Sequence, residues 1–322
     1  MSSIIAISSK VANYVFHMLS VAKCGYNNDY GNKYKKIHSK YDLDILKKNE
    51  KYITVCGGEH CGKLYSICVC IPASLNEDKL IDYYKGLNDL FKNKNLKRHE
   101  SNYTELYNEI FSCESLDINK KSHIEFYNSF IHLEKEIIEI SEVMINNYNI
   151  YVEKVWNHSE KEISFNINEL NKIFSKHNYT DIWEKELGYK YKYDNFYAVI
   201  CNSIDNGPQA INISHNKNIL GTINDNVAMS KLISHEFGIY IFKDILLDLG
   251  IFNDSNILFY YKYFEAIAEY YNQLVCGGCG CFDRFNEYID FYKSLKNENP
   301  EISPKEMFIK AVELFEGCKL GC

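Results

Sequence analysis

The chain has 322 residues, of which 46% are hydrophobic and 25% charged, so it is globular and large enough for one or two cores. Its formal net charge of −7 argues against a nucleic acid or an anionic membrane surface as the main partner. No run approaches the ~18 apolar residues of a membrane span, and the N-terminus lacks the charged region of a signal peptide. We therefore expect a cytoplasmic, reducing compartment, in which the 12 cysteines are thiols or metal ligands.

One short β segment interrupts an otherwise helical N-terminal half. The stretch Lys63 to Ile71 is rich in residues that favour strands, so it predicts a strand that ends at Pro72. Ser74 and Glu77 have the spacing of a capping box, which predicts the start of a helix. The predicted helices of this half are Val11 to Ala22, Ser74 to about Phe91, Lys121 to Trp156 as one long helix or two broken ones, Ile167 to Ser175, and Thr180 to Leu187.

The character of the chain changes near Gly188. We predict a boundary there, between a mainly helical region (residues 1–188) and a mixed C-terminal domain (residues 189–322) with a cysteine-rich end. Asn195 to Ser203 and Ala210 to Ser214 predict two short buried strands. The chain as a whole therefore belongs to the α+β class and is mostly helical.

The helices of the C-terminal domain are marked by their ends. The final helix has Ser303 as N-cap, Pro304 in its first turn, Glu306 completing a capping box and Gly317 just past its end. The other predicted helices run from after Asn224 or Asp225 to about Leu249, from Leu258 to Val275, and from Phe282 to Leu295.

The first of these helices carries a damaged metal-binding motif. His235-Glu236-Phe237-Gly238-Ile239 is the zinc-peptidase pattern H-E-x-x-H with its last residue changed. On a helix, positions i and i+4 share one face, so two histidines there can hold one zinc ion while the glutamate activates a water. Ile239 stands at the second histidine position and has no lone pair to donate. The motif points to a metal hydrolase and at the same time lacks one of its ligands.

The order of a strand, the helix of His235 and a helix containing Glu265 resembles the gluzincin class of zinc metallopeptidases, over about residues 195–271. In that class a glutamate beside a small residue on the downstream helix is the third zinc ligand. The resemblance implies a zincin-like domain in which His235 and Glu265 bind zinc. Glu236 would be the general base when metal-bound water attacks a peptide carbonyl. Glu269, one turn further on the helix, is a possible additional ligand, which would suit manganese or iron better than zinc.

Three interpretations of the motif are open. The first is a peptidase-like fold without normal catalysis, which binds a peptide or protein by adding a strand at the edge of Ala210 to Ser214. The second is an active metallopeptidase with an altered site, in which His215 could replace the missing ligand. One of the tyrosines within residues 259–264 could then stabilise an oxyanion. The third is coincidence, with His235 an ordinary helix histidine.

The cysteines suggest a separate, structural metal site. Cys276 and Cys279 form a glycine-rich knuckle, and Cys318 and Cys322 follow the final helix, so the four thiolates together could bind zinc. The alternative is a set of thiols that bind no metal. A further group has no local catalytic signature and comprises Cys56, His60, Cys61, Cys68 and Cys70.

Overall fold

The structure, a computed structural model, describes residues 2–54, 62, 64–93, 130–205, 210–247, 257–278, 280–281 and 284–317. These residues form an α+β protein that is mostly helical. None of the helices in these ranges is long and apolar enough to cross a membrane. The α-helices are α1 (Lys10–Val21), α2 (Asp29–Tyr34), α3 (Lys40–Lys48), α4 (Glu50–Ile53), α5 (Ile71–Ser74), α6 (Leu80–Asn93), α7 (Glu134–Tyr151), α8 (Asn157–Lys176), α9 (Tyr179–Leu187), α10 (Asn226–Leu247), α11 (Ile257–Val275), α12 (Asn286–Glu298) and α13 (Pro304–Glu316).

The strands form one small sheet in the order β1-β2-β4-β3. The strands are β1 (Ser3–Ile7), β2 (Asn195–Cys201), β3 (Ala210–Ser214) and β4 (Lys217–Gly221). The predicted strands β2 and β3 are confirmed, and β3 lies at an edge. β3 and β4 form an antiparallel hairpin in which Ala210 pairs with Leu220. At Gly221 a Cβ atom would lie 2.1 Å from the carbonyl oxygen of Ile204, so the end of the hairpin requires glycine.

The chain divides into two compact units. The first comprises residues 1–5, 168–197 and 223–322, and the second comprises residues 6–167 and 198–222. The predicted boundary near Gly188 lies within the first unit. Helices α10 and α11, which carry the zinc-peptidase-like motif, also belong to the first unit.

The predicted strand Lys63 to Ile71 is wrong, because its described residues are helical. Residues Ser66–Cys70 form a turn of π-helix that continues into α5, with Pro72 in the first turn of α5. Every side chain of the π-turn is buried, so its apolar run reflects burial on all sides rather than one face of a sheet. Tyr83 and Tyr84 of α6 donate hydrogen bonds of 2.7 and 3.0 Å to carbonyl oxygens of the turn, which tie the π-turn to α6.

Two predictions about helix ends before residue 177 also need correction. Ser74 does not cap a helix: its Oγ donates a 2.8 Å hydrogen bond to the carbonyl of Cys70, and α6 begins only after a 3₁₀ turn at Glu77–Lys79. The predicted helices Lys121 to Trp156 and Ile167 to Ser175 are one continuous helical stretch over residues 134–176. A π-turn at Val152–Trp156 joins α7 to α8. Residues 121–129 lie outside the described residues.

The other predicted helices are confirmed to within a few residues, and the final one is confirmed in detail. Ser303 Oγ accepts a 3.2 Å hydrogen bond from the backbone of Glu306, and Glu306 Oε2 accepts one of 3.0 Å from the backbone of Ser303. Gly317 ends the helix in the left-handed region, at a φ of 64°.

Replacing Ser303 by alanine is expected to lower the free energy of unfolding by about 1 kcal/mol, because it removes the side-chain acceptor at the helix start. Denaturant unfolding of the two proteins measures the difference. Ser294→Ala is the control, because Ser294 lies within α12 and bonds only to the exposed Glu298. Equal losses in both variants would contradict a specific role for the cap.

Candidate metal site

The site is built where α10 packs against its neighbours in the first unit. A Cβ atom at Gly238 would lie 2.3 Å from Cη2 of Trp183 in α9, so glycine is required for the indole to pack this closely against α10. The indole nitrogen donates a 2.9 Å hydrogen bond to Ser234 Oγ. Trp183, Ser234 and His235 are completely buried. These contacts fix the rotation of α10 and therefore the direction of His235.

The imidazole of His235 lies between two carboxylates of α11. Its Nε2 is 3.2 Å from Glu265 Oε2, and its Nδ1 is 3.0 Å from Glu269 Oε2. Glu265 and Glu269 are four residues apart and share one face of α11. His235 and Glu269 are 0% exposed, and the Glu265 side chain is 16% exposed. The structure thus brings the predicted residues His235 and Glu265 together across a separation of 30 residues.

Cys281 joins this group, although it is not among the ligands predicted from the sequence. Its backbone nitrogen donates a 2.8 Å hydrogen bond to Glu269 Oε1, and its thiol donates a 3.1 Å bond to Glu269 Oε2. A Cβ atom on Gly280 would lie 1.6 Å from Glu269 Oε1, so this close approach is possible only for glycine. The spacing of the cysteines does not indicate this contact, which depends on glycine at position 280.

The charges of the site are strongly coupled. Burial lowers the pKa of His235, but hydrogen bonds to Glu265 and Glu269 and the charge of Glu236 outweigh it and raise the pKa to about 9. Burial raises the pKa of Glu269, but the contacts with His235 and Cys281 bring it below its usual value. The pKa of the Cys281 thiol rises well above its usual range because of burial and the charge of Glu269. Without a metal, the site is therefore an imidazolium ion held by carboxylates.

Three further residues surround this centre. Glu236 and Ile239 are half-buried on α10, and Ile239 lies one turn after His235. Tyr261 of α11 is 47% exposed. Burial and the charges of Glu265 and Glu236 raise the pKa of Tyr261 to about 12, so its hydroxyl keeps its proton.

Only one cysteine of the predicted four-cysteine site, Cys276, lies in the described part of the chain. Cys276 follows α11, and its thiol donates a 3.5 Å hydrogen bond to Asn272 Oδ1. Cys279, Cys318 and Cys322 lie outside the described residues, so the four-thiolate site stays a prediction. Among the cysteines that the structure describes, none forms a disulfide.

The remaining candidates lie elsewhere. His215 occupies the turn between β3 and β4 in the second unit. Cys68 and Cys70 are buried in the π-turn before α5, not on a strand. Cys56, His60 and Cys61 lie outside the described residues.

One group in the described part of the chain has the composition and spacing of a metal site. His235, Glu269 and Cys281 each offer a ligand atom, and these atoms lie within 4.8 Å of one another. Comparisons of the chain with models of protein families, with curated proteins and with solved structures found no match.

Proposed function

We propose that the chain is a metal-dependent hydrolase of the metallopeptidase kind, which holds zinc with His235, Glu269 and Cys281. The observation that supports this most is the convergence of a nitrogen, an oxygen and a sulfur ligand atom within 4.8 Å. Catalytic zinc sites use three protein ligands and leave the fourth position for water or substrate. Cys281 then supplies the ligand that Ile239 lacks.

The residues present fit a zinc ion. Zinc bonds of about 2.0–2.3 Å in tetrahedral geometry place neighbouring ligand atoms roughly 3.3–3.6 Å apart. His235 Nδ1 is 3.0 Å from Glu269 Oε2, which is 3.1 Å from Cys281 Sγ. These two pairs of ligand atoms need to separate by only about half an ångström to reach that spacing, and all three atoms lie within 4.8 Å of one another. Imidazole, carboxylate and thiolate together favour zinc over magnesium or calcium, which prefer oxygen.

Glu265 has a supporting role in this arrangement. Metal-binding histidines usually donate their second ring N–H to a carboxylate, which fixes the orientation of the ring. Glu265 Oε2 lies 3.2 Å from Nε2 of His235, where it would do this. The gluzincin resemblance implies instead that Glu265 binds the ion, and Glu265 lies beside Nε2. In that case Glu269, which lies 3.0 Å from Nδ1, would orient the ring. Zinc affinity measured for variants of both carboxylates distinguishes the two assignments.

The chain offers the groups that peptide hydrolysis requires. When bound, zinc supplies a Lewis acid that acidifies water and polarises a carbonyl group. Glu236 is near enough for its charge to raise the pKa values of His235 and Cys281. Its carboxylate would accept a proton from the attacking water and return it to the leaving amine. Tyr261, protonated at neutral pH beside Glu265, would donate a hydrogen bond to the developing oxyanion.

A second candidate function is binding without hydrolysis. Ile239 favours it, because a catalytic H-E-x-x-H motif would have a histidine there. The edge position of β3 also favours it, since an extended peptide can add to an exposed edge strand. In that case zinc at His235 would stabilise the fold, and the partner would be a peptide or protein.

Zinc affinity in solution tests the site. We expect Cys281→Ser to weaken zinc binding by more than about 100-fold, because a ligand is worth more than a supporting contact. Cys276→Ser, in the same cysteine-rich segment, separates this site from the predicted four-thiolate site, because it should leave zinc binding at His235 unchanged. A larger loss in Glu269→Gln than in Glu265→Gln places the ion at Nδ1, and the reverse order places it at Nε2. Zinc binding lost in Cys276→Ser but retained in Cys281→Ser would refute the proposed ligands.

Catalysis is tested separately on zinc-loaded protein. Cleavage of a mixture of peptides, followed by mass spectrometry, should be found for the parent and should fall by about 10²–10⁴-fold in Glu236→Gln. Zinc content should be the same in both. If the parent binds zinc and cleaves no peptide, the non-catalytic function is the correct one.

A further inference from the structure

The second unit contains a buried histidine pair that has no part in the proposed metal site. His17 lies in the middle of α1, and His38 follows the 3₁₀ turn Lys35–Ile37 after α2. Their Nε2 atoms are 2.8 Å apart, and the two residues are 0% and 7% exposed. An N···N distance of this length is a hydrogen bond, so one of these nitrogens carries a proton and the other does not.

The neighbours determine where the protons are. The amide nitrogen of Asn147 in α7 donates to Asp42 Oδ2 at 3.0 Å and to the carbonyl of Val143 at 2.9 Å. Its Oδ1 therefore faces His38 and accepts a 2.7 Å bond from Nδ1–H of that ring. Neutral His38 then accepts at Nε2 from His17.

The proton on His17 is determined by its hydrogen bonds to His38 and Tyr30. His17 donates from Nε2, so its Nδ1 has no proton and accepts from the Tyr30 hydroxyl at 2.8 Å. One arrangement of protons thus satisfies every bond from Asp42 to Tyr30. A second proton between the two rings has no place, because two N–H groups would then face each other across 2.8 Å.

The surroundings favour the neutral pair. Facing the rings are Tyr30 and Tyr34 from α2 and Tyr151 from α7, whose ring centre is 4.8 Å from that of His17. Burial and the neighbouring His38 lower the pKa of His17 well below its usual value. Burial also lowers the pKa of His38, although Asn147 and Asp42 oppose it, and Lys154 in the turn after α7 adds to it.

Two more distant titratable groups affect the pKa of Tyr30, which contacts His17. They are Glu162 of α8 and Cys201 at the end of β2, and both oppose ionisation of the Tyr30 hydroxyl.

The pair holds one end of a short segment, residues 28–38. At the other end, Asn28 donates to the carbonyls of Ser203 and Asp205, and it accepts from Ser20 Oγ. This end contains no group that titrates near neutral pH. The contact of His38 with His17 and Asn147 fixes the opposite end against α1 and α7. The two ends therefore differ in their response to acid.

We propose that the His17–His38 pair is an acid-operated latch, which closes residues 28–38 onto α1 at neutral pH and releases them in mild acid. Opening exposes both rings to water, where each can take up a proton. The folded pKa values of both histidines lie below the usual 6.5. The free energy that the neutral pair contributes to the closed state is therefore fully present above pH 6.5 and decreases as the pH falls below it. For each proton taken up on opening, the equilibrium constant between the open and closed states rises by about tenfold per unit fall in pH. With two protons it rises by up to about a hundredfold per unit.

Hydrogen exchange measured by mass spectrometry, between about pH 7.5 and 5 and corrected for the intrinsic pH dependence of exchange, tests the latch. We expect peptides from residues 28–38 to lose protection in acid while those from residues 134–151 keep it. The double variant His17→Gln/His38→Gln should lose this pH dependence. His158→Gln is the control, because His158 is 58% exposed on α8 and should leave the profile unchanged.

Three results would overturn the latch. The first is loss of protection in residues 134–151 at the same pH, which would mean that acid unfolds the whole unit. The second is an unchanged pH profile in the double variant. The third, which needs only the parent protein, is titration of both imidazoles near pH 6.5 by nuclear magnetic resonance while residues 28–38 stay protected. The latch does not depend on the proposed metal site.

Discussion

Glu269→Gln is expected to lower the free energy of unfolding of the metal-free protein by about 3 kcal/mol. The carboxylate of Glu269 is completely buried and accepts from the backbone and thiol of Cys281 and from Asn272, at 2.8, 3.1 and 3.4 Å. It also lies 3.0 Å from Nδ1 of His235. A glutamine amide has one acceptor oxygen, and its NH₂ group would face other donors. Chemical denaturation in the presence of a chelator measures the loss.

Glu265→Gln is the matched control for this prediction. Glu265 contacts the same imidazole at 3.2 Å, but its side chain is 16% exposed, so water can replace the lost charge. We expect its cost to be about 1 kcal/mol. If Glu265→Gln destabilised the metal-free protein more than Glu269→Gln, the buried carboxylate would not be the centre of the network.

The meeting of His235 and Glu265 was predicted from the gluzincin resemblance, which implies a glutamate beside a small residue on the helix downstream of the histidine. Glu265 beside Ala266 matches that position, and His235 lies among apolar positions of the preceding helix. In the structure the completely buried imidazole of His235 and the partly exposed carboxylate of Glu265 satisfy each other from adjacent helices. The incomplete motif indicated a site because its remaining residues and the order of its helices match that class despite Ile239.

Cys281 could not be predicted, because its position depends on a reversal of the chain. Gly277 and Gly278 after α11 have φ angles of 73° and 98°, which only glycine adopts readily. This turn sends the chain back along α11, so Cys281 meets Glu269, 12 residues earlier. A run of cysteines and glycines has no periodicity from which such a reversal can be read. Ligand spacing suggested a four-cysteine zinc site instead.

The histidine pair and the π-turn were missed for a related reason. His17 is a single polar residue in an apolar helix, and its partner His38 follows a short 3₁₀ turn, so neither forms a recognisable pattern. The run Ser66–Cys70 has the composition of a strand, and its helical form depends on contacts with Tyr83 and Tyr84 of α6. Sequence periodicity reports which face of an element is buried, and it fails where every face is buried.

Gly238→Ala is expected to lower the free energy of unfolding by about 2–3 kcal/mol, which is the opposite of the usual effect in a helix. Alanine within a helix is normally favoured over glycine by about 1 kcal/mol. Here the new methyl group would lie 2.3 Å from Cη2 and 2.4 Å from Cζ2 of Trp183, which is completely buried and hydrogen-bonded to Ser234. The indole cannot move away without breaking that bond or opening a cavity.

The double variant Gly238→Ala/Trp183→Phe separates the clash from other effects of the alanine. Phenylalanine is smaller, so the added methyl group should cost less in the Trp183→Phe background than in the parent. Thermal or chemical unfolding of the four proteins in this cycle measures the coupling. Because the same contact sets the rotation of α10, we also expect Gly238→Ala to weaken zinc binding through His235. An alanine variant more stable than the parent would show that the indole does not cover residue 238, and the inferred orientation of His235 would lose its support.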